Sequence, residues 1–297
     1  MCANLQSDQP DARQGYAPAE NAQLFYRQIG QGRPIIILHG GPSFDHTYLL
    51  PDMDRLSHSY HLIYYDQRGR GKSTGDVQDI TIKTEVQDLE DLRTHLQLDS
   101  VAILGHSWGG HLAMEYAICH PDRVSHLILM NTSVASYADY KRFDEELSKK
   151  LAVHEKELNA LEANPKYQEG DSETHAQYNR IYFSTTIKRP EHLQRLNLTF
   201  PNVTKEGVLR ARKISEQLTN ETWASSEFNL IPGLQQLTIP TLIIHGDYDF
   251  IPVECAAHIA QAIPAARFVV LKECGHFSYI ESPDEVRQQL AAFFAST

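Results

Sequence analysis

The sequence predicts an α/β fold: a mostly parallel, doubly wound sheet with a helical cap inserted into it. Three observations point there. Short apolar runs of strand length alternate with helix-periodic segments, the pattern of buried parallel strands joined by helical crossovers. A serine, an aspartate and a histidine, each close to glycine, follow such runs, at the edge where open α/β sheets place their chemistry. The alternation stops between residues 133 and 236, where charged helical patterns replace strands, and then resumes.

In chain order, residues 1–16 are polar, with Asp8, Pro10, Asp11 and Gln14, and read as a flexible N-terminus without the apolar stretch of a signal peptide. Residues 23–29 alternate as an edge strand does, residues 34–38 form a continuous apolar run suited to a central parallel strand, and residues 60–65 form the next. Ile82, Val86, Leu89, Leu92 and Leu96 recur at helical spacing, predicting an amphipathic helix with Asp88, Glu90 and Asp91 facing out. Residues 101–104 read as a strand, Ala113, Met114, Ala117 and Ile118 mark the helix after it, and residues 124–130 read as another strand. In the interruption, Phe143, Leu147, Leu151, Leu158 and Leu161 mark one helical run and residues 208–218 another, with Pro165, Pro190, Pro201 and Pro232 as breaks. Strands at residues 241–244 and 268–271 follow. A closing helix starts at Pro283, a favourable first-turn proline, and carries Val286, Leu290, Phe293 and Phe294. The expected division is a core of residues 17–132 and 237–297 and a cap of residues 133–236, which should hold most of the specificity.

Gly105-His106-Ser107-Trp108-Gly109 sits between the strand at 101–104 and the helix after it. A strand turning sharply into a helix forces a strained backbone on its turn residue, and glycines two positions either side let the chain pass itself, so Ser107 is the expected nucleophile. Asp249, in His245-Gly246-Asp247-Tyr248-Asp249, and His276, in Cys274-Gly275-His276-Phe277, supply an acid and a base in the order Ser, Asp, His. Asp247 competes with Asp249. His39-Gly40-Gly41-Pro42 offers the Gly41 N–H, which with that of Trp108 would form an oxyanion hole, His39 supporting the loop. With Asp66-Gln67-Arg68-Gly69-Arg70-Gly71-Lys72-Ser73, these motifs resemble the α/β-hydrolase superfamily from about Leu24 to Phe294, and within it the proline iminopeptidase-like branch and related esterases. The resemblance implies acyl transfer to Ser107, and its glycine-two residues-aspartate pattern selects Asp249. In some relatives the acid comes one strand earlier, where this chain has Asn131.

Proline iminopeptidases pair their loop with cap carboxylates that capture the substrate's amine, and Glu145, Glu146, Glu216, Glu221 and Glu227 are candidates here. Their loop usually continues with glycine, where this chain has Ser43-Phe44. That departure favours a carboxylic ester or lactone, large cyclic lactones such as macrolides included, over an iminopeptidase substrate. Phe44, His106, Trp223 and Phe228 are the candidate substrate contacts. A ligand receptor on the same fold, without turnover, is a third reading.

A net charge of −11 argues against nucleic acid or an anionic membrane as partner, and no stretch approaches the ~20 apolar residues that span a bilayer. A cytoplasmic protein with a small-molecule substrate is expected. Cys2, Cys119, Cys255 and Cys274 lack metal or redox spacing, and the histidines form no H-E-x-x-H or similar ligand pair, so neither metal nor cofactor is expected. Gly71-Lys72-Ser73 suggests a phosphate loop, but Asp66 stands where its first glycine belongs. Asn197-Leu198-Thr199 is a glycosylation sequence without a secretory signal to give it weight.

Overall fold

A computed structural model describes residues 12–197, 204–264 and 266–297; most of the polar N-terminus, Leu198, Thr199 and Pro201 lie outside them. Among the described residues one sheet runs in the order β1-β2-β4-β3-β5-β6-β7-β8. Its strands are β1 (Arg13–Ala19), β2 (Ala22–Ile29), β3 (Arg33–Leu38), β4 (Tyr60–Tyr65), β5 (Val101–His106), β6 (Val124–Met130), β7 (Thr241–Gly246) and β8 (Ala266–Leu271). β1 with β2 and β2 with β4 pair antiparallel, and all later neighbours pair parallel.

Two expectations at the N-terminus are corrected. Arg13 to Tyr16 are not a flexible tail but the first half of β1, and β1 rather than β2 is the edge strand. The alternation in β2 reflects a strand near the sheet margin, so periodicity alone placed it one position too far out.

The register positions the chemistry. Leu38 pairs with Gly105, and His106 pairs with Met130, which in turn pairs with Ile244, so the loops after β3, β5, β6 and β7 emerge at one edge. β3 has β4 on one side and β5 on the other, making the gap between β3 and β5 the topological switch point at which such sheets bind ligands. Ile35, Ile36, Ile37 and Leu38 are fully buried, as expected of a strand covered on both faces.

The helices are α1 (Ile82–His95), α2 (Trp108–Cys119), α3 (Tyr137–Leu151), α4 (Glu155–Glu162), α5 (Pro165–Gln168), α6 (Ser172–Ser184), α7 (Lys205–Glu221), α8 (Ile231–Leu234), α9 (Val253–Ala262), α10 (Ser278–Glu281) and α11 (Pro283–Ser296). Thr81 caps α1 reciprocally with Thr84. Asp88 does not face out: it is buried and holds Arg68 through two hydrogen bonds, because that arginine reaches α1 from the loop after β4. The cap pattern spanning Phe143 to Leu161 divides into α3 and α4, and α6 was not foreseen because its buried face carries aromatic and polar side chains instead of aliphatic ones. Among the described residues no helix is long and apolar enough to cross a membrane.

Candidate active site

Ser107 has φ 57° and ψ −119°, the strained backbone of a strand-to-helix elbow. The flanking glycines are dictated by contact. A Cβ on Gly105 would lie 2.2 Å from the Gly109 carbonyl oxygen, and one on Gly109 would lie 2.1 Å from that of Leu38. Trp108 opens α2, so its N–H belongs to the unpaired first turn, where the helix dipole favours negative charge.

His276 Nδ1 hydrogen-bonds both Asp249 oxygens, at 2.9 and 3.0 Å, with both side chains buried. The carboxylate also accepts the Ile251 N–H at 3.0 Å and the Asn131 amide at 2.8 Å. Burial alone would raise the Asp249 carboxyl, but the facing His276 and His245 and the Ile251 N–H outweigh it and bring it down to about 2. Asp247 is exposed and accepts the Cys274 N–H, so the structure pairs His276 with Asp249. Asn131, where some relatives carry the acid, orients it here: its amide donates to Asp249 and to the Gly275 carbonyl. The loop of His276 is also held from the cap. The His276 N–H donates to the Thr186 carbonyl at 2.8 Å, and buried Glu281 accepts the N–H groups of Gly275 and Lys188.

The loop after β3 is fastened from three sides. Burial lowers the His39 imidazole to about 3, so it is neutral; Nδ1–H donates to the Gly40 carbonyl and Nε2 accepts the Gln67 N–H. The Gln67 side chain donates to the His39 carbonyl and accepts the Trp108 indole N–H. Arg70 donates to the Pro42 carbonyl at 2.8 Å and pairs with buried Glu85. The segment Asp66 to Ser73 is thus a clamp on this loop. Gly41, at φ +130°, has no room for a Cβ against the Ser43 and Phe44 N–H groups. Asp45, His46 and Asp66 bring ligand atoms within 4.8 Å of one another. Both carboxylates are engaged by protein donors, Asp45 by Thr47 and Asp66 by His46 and the Lys72 N–H, which suits a loop fastening better than a cation site.

His106 does not reach the substrate side. It is buried, Nε2 lies 2.9 Å from the His276 carbonyl and Nδ1 lies 2.7 Å from the Tyr48 hydroxyl. A carbonyl can only accept, so Nε2 carries the proton and Nδ1 accepts from Tyr48, whose oxygen accepts the Gly40 N–H at 2.8 Å. Burial lowers this imidazole to about 3, consistent with the neutral tautomer. Tyr48 and His106 therefore tie the Gly40 loop to the backbone of His276, a link that single-residue motifs do not encode.

Ser107 borders a pocket of about 70 Å³ with Gly41, Ser133, Val134, Phe143, Tyr182, Trp223, Phe250 and Ile251. Trp223 is in this lining, its indole N–H donating to His111. Phe228 is not in this lining; its ring packs at a tilt against His111, centroids 5.3 Å apart. Phe44 lines a second, larger pocket further out.

A family model described as the alpha/beta hydrolase fold matches residues 33–283. The chain belongs to the α/β-hydrolase fold family. This hydrolase is 28% identical over 276 residues to a proline iminopeptidase of Saccharolobus solfataricus, covering 90% of this chain and 86% of that one. Among solved structures it resembles a thermophilic esterase from Thermogutta terrifontis, with TM-score 0.69, 22% identity and coverage of 96% and 98%. It also resembles Est816, described as an N-acyl homoserine lactone degrading enzyme, with TM-score 0.67, 20% identity and coverage of 94% and 100%. The hydrolase thus resembles the proline iminopeptidase-like branch in sequence and esterases in fold.

Proposed function

We propose that this hydrolase cleaves carboxylic esters or lactones through an acyl-enzyme on Ser107. The observation that carries the proposal is the buried Asp249–His276 pair at the same sheet edge as the strained elbow of Ser107. With Nδ1 donated to Asp249, Nε2 of His276 is the nitrogen left to take the Ser107 proton and return it to the leaving group. The Gly41 and Trp108 N–H groups stabilise the oxyanion, and water releases the acyl group. No cofactor takes part.

An ester or lactone is favoured over an amide with a free amine because the pocket at Ser107 has no carboxylate among the described residues of its lining. Of the cap candidates, Glu216 lines the outer pocket, and Glu145, Glu146, Glu221 and Glu227 line neither. The aminopeptidase reading draws on the curated relatives, which are named proline iminopeptidases. Turnover of p-nitrophenyl esters, lactones of increasing ring size and proline β-naphthylamide separates the two. Cleavage of esters or lactones at least tenfold faster than the amide is expected. Cleavage of the amide alone overturns the preference, and covalent labelling of Ser107 without any turnover indicates a receptor.

A further inference from the structure

The loop of His276 meets the cap at the end of α6 and the turn after it, and that turn is a fixed abutment. Three hydroxyls close the helix end on itself: Ser184 donates to the Ile181 carbonyl, Thr185 to that of Tyr182 and Thr186 to that of Phe183, at 2.7, 2.8 and 2.9 Å. The buried Phe183 ring is wedged edge to face between Phe44 and Phe277, with centroids 5.6 Å from each. From this turn the carbonyl of buried Thr186 accepts the His276 N–H at 2.8 Å. Gly275 is what lets the two segments come so close. A Cβ there would lie 2.1 Å from the Thr186 carbonyl oxygen and 2.8 Å from Glu281 Oε1.

Glu281, on α10, spans the seam. It is 4% exposed, and a carboxylate so buried is ordinarily paired with a cation. Among the described residues its hydrogen bonds come only from backbone N–H groups: Oε1 accepts that of Gly275 at 3.1 Å, and Oε2 accepts those of Lys188 at 3.0 Å and Arg189 at 3.3 Å. One donor belongs to the base loop and two belong to the cap. Both oxygens accept, so the group stands as a carboxylate although burial raises it. An amide of the same shape has a single accepting oxygen and would serve the base loop or the cap, not both.

We infer that Glu281 is a positioning residue for the catalytic base: it binds the Gly275 loop and the Lys188–Arg189 turn into one unit, holding the His276 backbone against Thr186 and its imidazole on Asp249. The cap is then part of the catalytic arrangement, because the base is seated against it. The inference rests on the Ser107–His276 reading above.

Glu281→Gln tests it at nearly constant shape, with thermal unfolding to establish that the variant is folded. On p-nitrophenyl acetate, kcat should fall by about 10–100-fold, the scale of a misplaced reacting group, with KM within twofold of native. The Nδ1 proton that His276 shares with Asp249, read without substrate as a low-field proton resonance, should be present in native protein and broadened or lost in the variant. A folded variant with kcat within twofold of native, or a resonance identical in the two proteins, overturns the inference. Glu281→Asp keeps the charge but is one methylene too short to reach both sides, and it carries the test if Glu281→Gln does not fold. Its kcat should fall at least threefold with KM unchanged, and native kcat overturns the inference equally. Failure of the esterase reading looks different: native protein would then be no faster than Ser107→Ala on p-nitrophenyl acetate. The comparison of resonances, which needs no substrate, decides the inference in that case.

Discussion

Replacing Tyr48 by phenylalanine removes one oxygen and leaves shape almost unchanged. That oxygen accepts the Gly40 N–H at 2.8 Å and donates to His106 Nδ1 at 2.7 Å, and both partners are buried. Each would be left without a partner, costing about 1–3 kcal/mol apiece, so a loss of roughly 2–6 kcal/mol in unfolding free energy is expected. The same change loosens the loop that presents the Gly41 N–H. Removing an oxyanion donor outright costs about 10²–10³ in turnover; loosening its support should cost less, about tenfold in kcat with KM little changed. Denaturant unfolding and steady-state kinetics on p-nitrophenyl acetate measure both. A variant with native stability and kcat within twofold of native would show that the Tyr48–His106 link supports neither the fold nor the loop.

Asp249→Asn should keep the fold and lower kcat by about 10³–10⁴, because the imidazole loses the carboxylate that fixes its tautomer; steady-state kinetics beside a thermal unfolding curve checks this. Gly109→Ala places a Cβ 2.1 Å from the Leu38 carbonyl oxygen inside a close-packed core, so soluble yield and midpoint temperature should both fall, by about 3 kcal/mol or more in equilibrium unfolding. Glu115 on α2 is raised to about 7 by burial and by Glu221 of the cap. Its folded form therefore holds a proton that the unfolded chain has released between about pH 4.5 and 7, and stability from this group declines as pH rises through that window. Glu115→Gln should raise stability at pH 8 by on the order of 1–3 kcal/mol and flatten the curve between pH 5 and 8, which denaturant titrations across that range would reveal.

The fold and the catalytic candidates were legible because their signals are local. Gly105 is required by a backbone contact within its own turn, Gly109 stands at the fixed motif spacing although its contact is the Leu38 carbonyl of β3, and Asp249 and His276 each sit in the loop just after a strand. What escaped the sequence depends on partners far along the chain. Asp88 looks like a solvated helix residue until Arg68 arrives from another loop, and His106 sits inside the nucleophile motif yet bonds Tyr48 and the carbonyl of His276. Glu281 works through backbone N–H groups, which leave no side-chain signature to search for. Helix α6 was missed because aromatic and polar residues line its inner face, and aliphatic periodicity was the signal used.

The central claim is that Ser107 attacks the carbonyl. Treatment with a fluorophosphonate, followed by intact-mass and peptide mapping, tests it most directly. One adduct per chain on the peptide containing Ser107, absent in a folded Ser107→Ala protein that has also lost ester turnover, is the predicted result. An adduct on another residue, or a Ser107→Ala protein that hydrolyses p-nitrophenyl acetate at the native rate, would contradict it.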